Sequence, residues 1–513
     1  MSGIRVRIAP SPTGNLHIGT ARAALFNYLF AKNQGGTFVL RIEDTDLERS
    51  DKKYEQNIFD GLRWLGIDPD EGPEQGGSYG AYRQSERTDN YERYLRELLK
   101  DGKAFYCFHS EADLEEEGKR LLHEKKAPIH ACVYRDLSLA EAEERIKSGA
   151  SDYIVRFKTP AGRQIAFTDL IRGELSFASD LIGDFSIARS LRDPLYHFAV
   201  VVDDCEMKIS HVIRCEDHIA NTPKHILLGE ALGFPIPHYA HLPLILGPDR
   251  SKLSKRHGAT SVIEYKEQGY LPEALFNFMA LLGWSPGAGS SLLASGGGGL
   301  LSPRGGGLLS PDREIFSKED LVSIFSLKRV QKSGAIFDFQ KLDWMNGEYI
   351  RKKSLIELTE LCKPYLSQHS HILENVRMLD GSMHDDYLKK IVALEQPRLK
   401  KLSEIADRVD YFFRAPDYDP ELLRWKQMTP DATKAGLKRS EELLAKLAES
   451  VSRAELEGAF LDAIGAGDKG SVLWPLRVAL TGRKASPGPF EVMEILGVKE
   501  SLARVRTAIE KLS

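Results

Sequence analysis

The sequence predicts an α/β protein in which a Rossmann-type parallel sheet is split by an α+β insertion and followed by an all-α C-terminal part. Three observations lead there. Residues 6–9 form a short β-rich run that passes through a Pro/Gly-punctuated turn into an apolar-periodic stretch at 23–30, a strand-loop-helix unit. The β-α alternation breaks off near Phe105 and resumes near Leu195. From about Arg351 onward the apolar spacing is helical and strand signals almost vanish.

Each element follows from local chemistry. Pro10 and Pro12 hold the first loop extended, Gly14 permits a turn, and a helix beginning near Gly19 points unpaired N–H groups and a positive dipole end into that loop, which suits a phosphate. His17 can add an imidazole N–H, and Gly19 leaves room for a flat nucleotide ring. Gly35 and Gly36 cap the helix, residues 37–42 read as a strand, and Glu43, Asp44 and Asp46 follow at its carboxyl end, where open parallel sheets bind ligands. Helices are expected at about 53–65 and 86–101. Residues 287–312 are glycine-dense and nearly duplicated, the composition of a flexible surface insertion; with no lysine following and no strand-helix frame, a phosphate-loop reading fails. The predicted boundaries are 1–104 and 185–250 for the two halves of the split sheet domain, 105–184 for the insertion, 251–350 for a following region, and 351–415 and 416–513 for two helical domains.

Composition narrows the class. A chain of 513 residues with 42% hydrophobic content can build several cores. No apolar run is long enough to span a bilayer and the N-terminus is already a strand, so a cytoplasmic location and no membrane partner are expected. Five unpatterned cysteines argue for a reducing compartment. A net charge of −4 means that any nucleic-acid contact rests on local patches such as Arg351-Lys352-Lys353.

A second basic element, Lys252-Leu253-Ser254-Lys255-Arg256, follows an extended run and the turn Gly247-Pro248-Asp249. Each element alone has a bland reading, a structural histidine or a solvated basic face. In this order, His17-Ile18-Gly19-Thr20 and Lys252 to Arg256 resemble the two signatures of class I aminoacyl-tRNA synthetases. Further matches at 41–46, 82–87, 196–199, 212–214, 344–347 and 475–477 make the chain similar to bacterial-type glutamyl-tRNA synthetases over nearly its whole length.

The resemblance implies ATP-dependent activation of L-glutamate and its transfer to tRNA(Glu), with charging of tRNA(Gln) as well left open. It implies a monomer in which 105–184 binds the acceptor end, 251–350 contacts the stem and the helical domains read the anticodon. His17, Gly19, Thr20, Lys252, Ser254, Lys255 and Arg256 are expected at ATP, with Mg²⁺ held through phosphate oxygens and water. His17, Gly19, Lys252 and Lys255 are expected to carry the catalysis. Arg7 and Arg214 are expected to grip the substrate side chain, Glu43 its ammonium, and Ser11 and Tyr196 to orient it. The bland reading of Arg214 is an ion pair with Glu216 or Asp217. Many relatives have Asn at the position of Val200, so an amide contact is missing here. Some relatives also hold zinc through cysteine pairs in the insertion. Here Cys107 and His109 make a first pair, but Tyr134 falls where a third cysteine belongs and Cys132 is displaced, so no metal site is expected.

Glutaminyl-type enzymes carry β-barrel anticodon domains, which the helical C-terminal third disfavours. A shortened glutamyl-queuosine-type enzyme would lack that third, and a small-molecule nucleotidyltransferase would not need it. A non-enzymatic RNA-binding derivative would have lost His17, Gly19 or Lys255, and all are present.

Overall fold

The computed structural model describes residues 3–46, 48–126, 129–150, 152–287, 314–372, 385–449, 451–465 and 467–512. Almost all of the glycine-rich 287–312 segment lies outside the described residues. The chain forms two compact units, Met1–Lys266 with Pro272–Phe339, and Glu267–Leu271 with Gln340–Ser513.

In the first unit the order begins β1 (Arg5–Ile8), α1 (Ile18–Asn33), β2 (Thr37–Leu40), α2 (Lys52–Trp64), α3 (Thr88–Lys100), β3 (Ala104–Cys107), α4 (Glu111–His123) and α5 (Leu139–Lys147). It continues β4 (Ile154–Phe157), β5 (Gln164–Asp169), β6 (Gly173–Ala178), β7 (Phe185–Ser190), β8 (Asp193–Pro194), α6 (Tyr196–Glu206), β9 (His211–Cys215), α7 (Thr222–Ala231) and β10 (His238–Leu242). The predicted alternation and the helical C-terminal part are both present.

The parallel sheet is built on β1, which pairs with β2 in the register Arg7↔Val39 and Ile8↔Leu40 and packs alongside β9. Because side chains alternate along a strand, β1 turns Val6 and Ile8 to one face and Arg5 and Arg7 to the other. All four are buried, so each arginine must find a partner. Arg5 finds the Glu71 carboxylate at 2.8 Å and the Met207 carbonyl at 2.9 Å. α1 starts where it does because His17 caps it: the imidazole Nδ1 accepts the Gly19 N–H at 3.0 Å.

The insertion is not an isolated lobe. Its strands β3, β4, β7 and β8 form an antiparallel sheet, but the hairpin β5–β6 joins β9 and β10 instead, in a four-stranded sheet of order β6-β5-β10-β9. The junction pairs Asp169 with Tyr239, which brings the end of β5 against the nucleotide fold.

In the second unit, helices Pro430–Leu444, Gly470–Thr481 and Val498–Glu510 pack on one another. Gly436 sets the closest approach: a Cβ there would lie 2.4 Å from the Ser471 carbonyl oxygen, a backbone atom that cannot step aside. Helix propensity favours alanine over glycine by about 1 kcal/mol, whereas overpacking costs about 1–3 kcal/mol. Packing should win, so Gly436→Ala is expected to lower the melting temperature of the helical unit, measured by calorimetry on the full chain. An unchanged or higher value would show that the helices separate without cost.

Candidate active site

The carboxyl ends of β1, β2 and β9 meet at a cleft of about 250 Å³ lined by Arg7, Ser11, Thr20, Glu43, Tyr196 and Arg214, with Val200 and His218. Every residue expected around the amino acid lies here, although the positions span more than two hundred residues of sequence. Val200 is buried in the wall, so that stretch of the cleft is apolar where an amide would otherwise reach in.

Beneath the cleft is a lattice of buried charge. Arg7 donates from Nε and Nη2 to the two Asp204 oxygens at 3.1 and 3.3 Å. Arg41 bridges Asp204 at 2.7 Å and Glu43 at 3.0 Å, and Arg87 holds Asp203 at 2.6 Å. Tyr91 and Gln84 complete Asp203, at 2.9 and 2.8 Å. Burial pushes the Glu43 carboxyl up, and the Arg41 guanidinium beside it pulls the other way. For Asp204 the flanking guanidinium groups outweigh burial and hold it below the usual carboxylate range. Neither aspartate was given a role in the sequence reading. Their signal was the Asp203-Asp204 pair near the end of an otherwise apolar helix, α6.

Arg214 is the exception to this pairing. It is 7% exposed, yet its partners are all neutral: Nε donates to His241 Nε2 at 3.1 Å, Nη2 to Thr222 Oγ1 at 2.8 Å and the His218 carbonyl at 3.3 Å, and Nη1 meets His225 Nδ1 at 3.3 Å. The ion pair with Glu216 or Asp217 does not form, because Glu216 pairs with Arg172 and Asp217 with Lys252. Burial holds the imidazoles of His197 and His218 down at about 4 and that of His225 well below its ordinary value, so the surrounding ring nitrogens carry no charge at neutral pH. Around this cleft Arg7, Arg41 and Arg87 are thus each in direct contact with a buried carboxylate (Glu43, Asp203 or Asp204), whereas Arg214 has none in direct contact and reaches the buried Asp169 only through His241.

A second cleft, of about 150 Å³, adjoins the first and shares Thr20 with it; His17, Gly19, Lys252 and Asp217 line it. Since His17 Nδ1 accepts from Gly19, the ring proton of the neutral imidazole sits on Nε2. Burial, with Lys252 adding to it, holds the His17 imidazole below its ordinary value and so neutral. A Cβ at residue 19 would approach that ring to 3.2 Å, the crowding that glycine avoids. Arg22, which the sequence reading passed over, is buried one turn along α1 and donates to the carbonyls of Leu282 and Pro243, tying the helix start to the segment that leads into the lysine loop.

In that loop Lys252 reaches the cleft and pairs with Asp217 at 3.2 Å. Ser254 Oγ lies 3.3 Å from His257 Nδ1, and Arg256 donates to Asp249 at 3.1 Å. Lys255 is exposed and is not among the residues lining either cleft.

The insertion, where no metal site is expected from the sequence, brings four possible metal donors together. The structure gathers Cys107, His109, His130 and Cys132, with one donor atom from each lying within 4.8 Å of the others. Cys107 Sγ is 3.5 Å from His109 Nδ1 and 3.7 Å from His130 Nε2, and Cys132 Sγ is 3.6 Å from His109 Nδ1. A tetrahedral zinc ion with arms of about 2.0–2.3 Å has ligand-to-ligand edges of about 3.6 Å, so the donor set fits zinc in chemistry and in size. Tyr134 is no ligand; it packs against the small core formed by Phe105, Cys107 and Cys132. The overlooked signal was the mirrored pair Cys-x-His and His-x-Cys, with His130 supplying the missing donor.

Residues 3–344 match the family model for tRNA synthetases class I (E and Q), catalytic domain, and residues 357–509 match an anticodon binding domain. The chain is 44% identical to a glutamate–tRNA ligase of Carboxydothermus hydrogenoformans across 98% of this chain and 99% of the relative. It is 45% identical to glutamate–tRNA ligase 1 of Caldicellulosiruptor saccharolyticus over 98% of each. A crystal structure of a glutamate tRNA ligase from Elizabethkingia meningosepticum in complex with its amino acid covers all of both chains with a TM-score of 0.84 at 33% identity. The chain belongs to the class I tRNA synthetase family for glutamate and glutamine.

His17 has two separable jobs, capping α1 and presenting Nε2–H. Asparagine is a good cap but offers no donor at that reach. His17→Asn should therefore keep the melting temperature near that of the parent while slowing single-turnover adenylate formation by about a hundred- to a thousandfold. Loss of stability in step with activity would instead leave His17 only the capping job.

Proposed function

We propose that this chain is a glutamate–tRNA ligase, working as a monomer, that activates L-glutamate with ATP and passes the glutamyl group to the 3′ end of tRNA(Glu). The observation that carries this reading is Arg214, a buried guanidinium with no carboxylate of its own in a cleft that also presents Glu43. An amino acid whose side chain ends in a carboxylate supplies the direct partner that Arg214 lacks, and its ammonium suits Glu43. Glutamine would leave the guanidinium facing a neutral amide. The match to both the catalytic and the anticodon models, and full-length similarity to glutamate–tRNA ligases, support the same reading.

The chemistry asks little of side chains as acids or bases. The substrate α-carboxylate is already a nucleophile: it attacks the α-phosphorus of ATP, the new C–O–P bond forms, and the bond to pyrophosphate breaks. The terminal ribose hydroxyl of tRNA then attacks the activated carbonyl, and AMP leaves. Catalysis is therefore positioning and charge stabilisation. The start of α1 and His17 Nε2–H meet the phosphates, and Gly19 leaves room for the nucleoside. Lys252 faces the leaving pyrophosphate, and Lys255 joins it when its loop closes over the triphosphate, with Ser254 and Arg256 on the same loop. Mg²⁺ accompanies ATP through phosphate oxygens and water. In the insertion, Cys107, His109, His130 and Cys132 would hold a structural zinc ion, with Glu117, bonded to His130 Nδ1, fixing the tautomer that turns Nε2 toward the site.

Aminoacylation assays with glutamate and glutamine on separately purified tRNA(Glu) and tRNA(Gln) test the reading. Glutamate should be charged and glutamine rejected by several orders of magnitude; equal charging would overturn it, and the tRNA(Gln) arm decides whether the enzyme is discriminating. Elemental analysis of protein purified without chelators should find about one zinc per chain, lost in Cys132→Ser. Protein that is stable and active with no zinc would remove the metal from the account.

A further inference from the structure

Arg214 can stay unpaired only if something holds it in place. Its Nε donates to His241 Nε2 at 3.1 Å, and a ring nitrogen accepts only when it carries no proton. The other ring nitrogen, His241 Nδ1, lies 2.6 Å from Asp169 Oδ2, and both side chains are fully buried. Asp169 is itself fixed, because its Oδ1 accepts the backbone N–H groups of Ile171 at 2.9 Å and Arg172 at 2.8 Å. The His241 backbone N–H adds a bond to Oδ2 at 3.1 Å. Thr222 Oγ1 lies 3.2 Å from His241 Nε2 and accepts from Arg214 Nη2 at 2.8 Å, which closes the triangle.

We propose that Asp169 and His241 are specificity-determining positioning residues: Asp169 locks His241 as its Nδ1–H tautomer, and His241 Nε2 then holds the Arg214 guanidinium toward the substrate carboxylate without neutralising it. The inference rests on the reading of Arg214 as the side-chain carboxylate receptor. A carboxylate touching Arg214 directly would satisfy the guanidinium and close the site to an anionic ligand. Placing the carboxylate one imidazole away gives orientation while leaving the charge for the ligand. Asp169 belongs to β5 of the insertion, so the aim of Arg214 depends on that hairpin being seated on β10.

The geometry makes Asp169→Asn a sharp test. With the amide oxygen held by two backbone N–H groups, the amide NH₂ must face His241 Nδ1. That forces the proton to Nε2, where it confronts the Arg214 Nε–H. The glutamate KM in tRNA-dependent charging should rise about 10- to 100-fold, with the ATP KM and kcat changed far less and glutamine rejection weakened. His241→Gln, whose amide oxygen can stand near the position of Nε2, should retain more glutamate affinity than His241→Asn, which cannot reach it. This pair decides the matter if Asp169→Asn does not fold.

Arg214→Ala is the control for the underlying reading. If it raises the glutamate KM while Asp169→Asn and both His241 variants do not, the positioning role is wrong and the receptor role stands. If Arg214→Ala leaves the glutamate KM unchanged, the receptor reading fails and the inference falls with it. A purely structural role would lower the melting temperature and the active fraction alike in the Gln and Asn variants of His241, without moving the glutamate KM of the enzyme that remains, and that result would also overturn the proposal.

Discussion

Buried guanidinium groups at the carboxyl end of the parallel sheet set the terms for the rest of the catalytic unit. A charge taken out of water needs a partner close by, and removing one partner of such a pair costs about 3–5 kcal/mol. Arg7 on β1, Arg41 after β2 and Arg87 ahead of α3 are met by Asp203 and Asp204 at the carboxyl end of α6 and by Glu43 after β2. These pairs lock α6 across the ends of β1 and β2, and so fix the spacing of the cleft walls. Arg214 enters the same region from β9 with hydrogen bonds but no counter-charge. Arg214 thus has no carboxylate in direct contact, and its guanidinium lies on the wall of the cleft.

This constraint explains the division of labour between the two clefts. The first cleft is made of buried, mutually bonded groups on strand ends and α6. The adjoining cleft is made of a helix start and a loop: His17 and Gly19 belong to the first turn of α1, and Lys252 to a turn whose other basic residues lie at the surface. A fixed receptor suits a side chain that does not change during reaction, and a loop of cations suits a triphosphate whose charge moves toward the leaving group. The insertion is tied to the first cleft through Asp169, which contacts His241 behind Arg214, and the same insertion carries the donor cluster of Cys107, His109, His130 and Cys132.

Much of this was legible in the sequence, and the failures have physical causes. Periodicity and turn chemistry located β1, α1, β2, α2 and α3 to within a few residues, because each is bounded by proline, glycine or a capping side chain. The residues that touch the clefts were legible because their motifs are contiguous, as in His17-Ile18-Gly19-Thr20. The supporting residues were not. His241 and Asp169 are separated from Arg214 by tens of residues: His241 faces it through the parallel pairing of β9 with β10, and Asp169 joins through the pairing of β5 with β10, contacts that no local pattern announces. His130 was missed because the search was for a third cysteine, whereas imidazole and thiolate are interchangeable zinc donors and the pair occurs in reversed order. Arg7 is expected at the ligand and lines the first cleft, but its bidentate hold on Asp204 could not be read from β1 alone.

The central claim, that the cleft presents a buried guanidinium with no carboxylate in contact and that the side-chain carboxylate of the substrate supplies one, is tested most directly by a crystal structure of this chain with L-glutamate bound. The account predicts the side-chain carboxylate within hydrogen-bond distance of the Arg214 guanidinium, the ammonium at Glu43, and the contacts of Arg214 to His241 and Thr222 unbroken. A glutamate side chain turned away from Arg214, or an Arg214 swung onto Glu43 or Asp204 to complete the lattice from within, would contradict it.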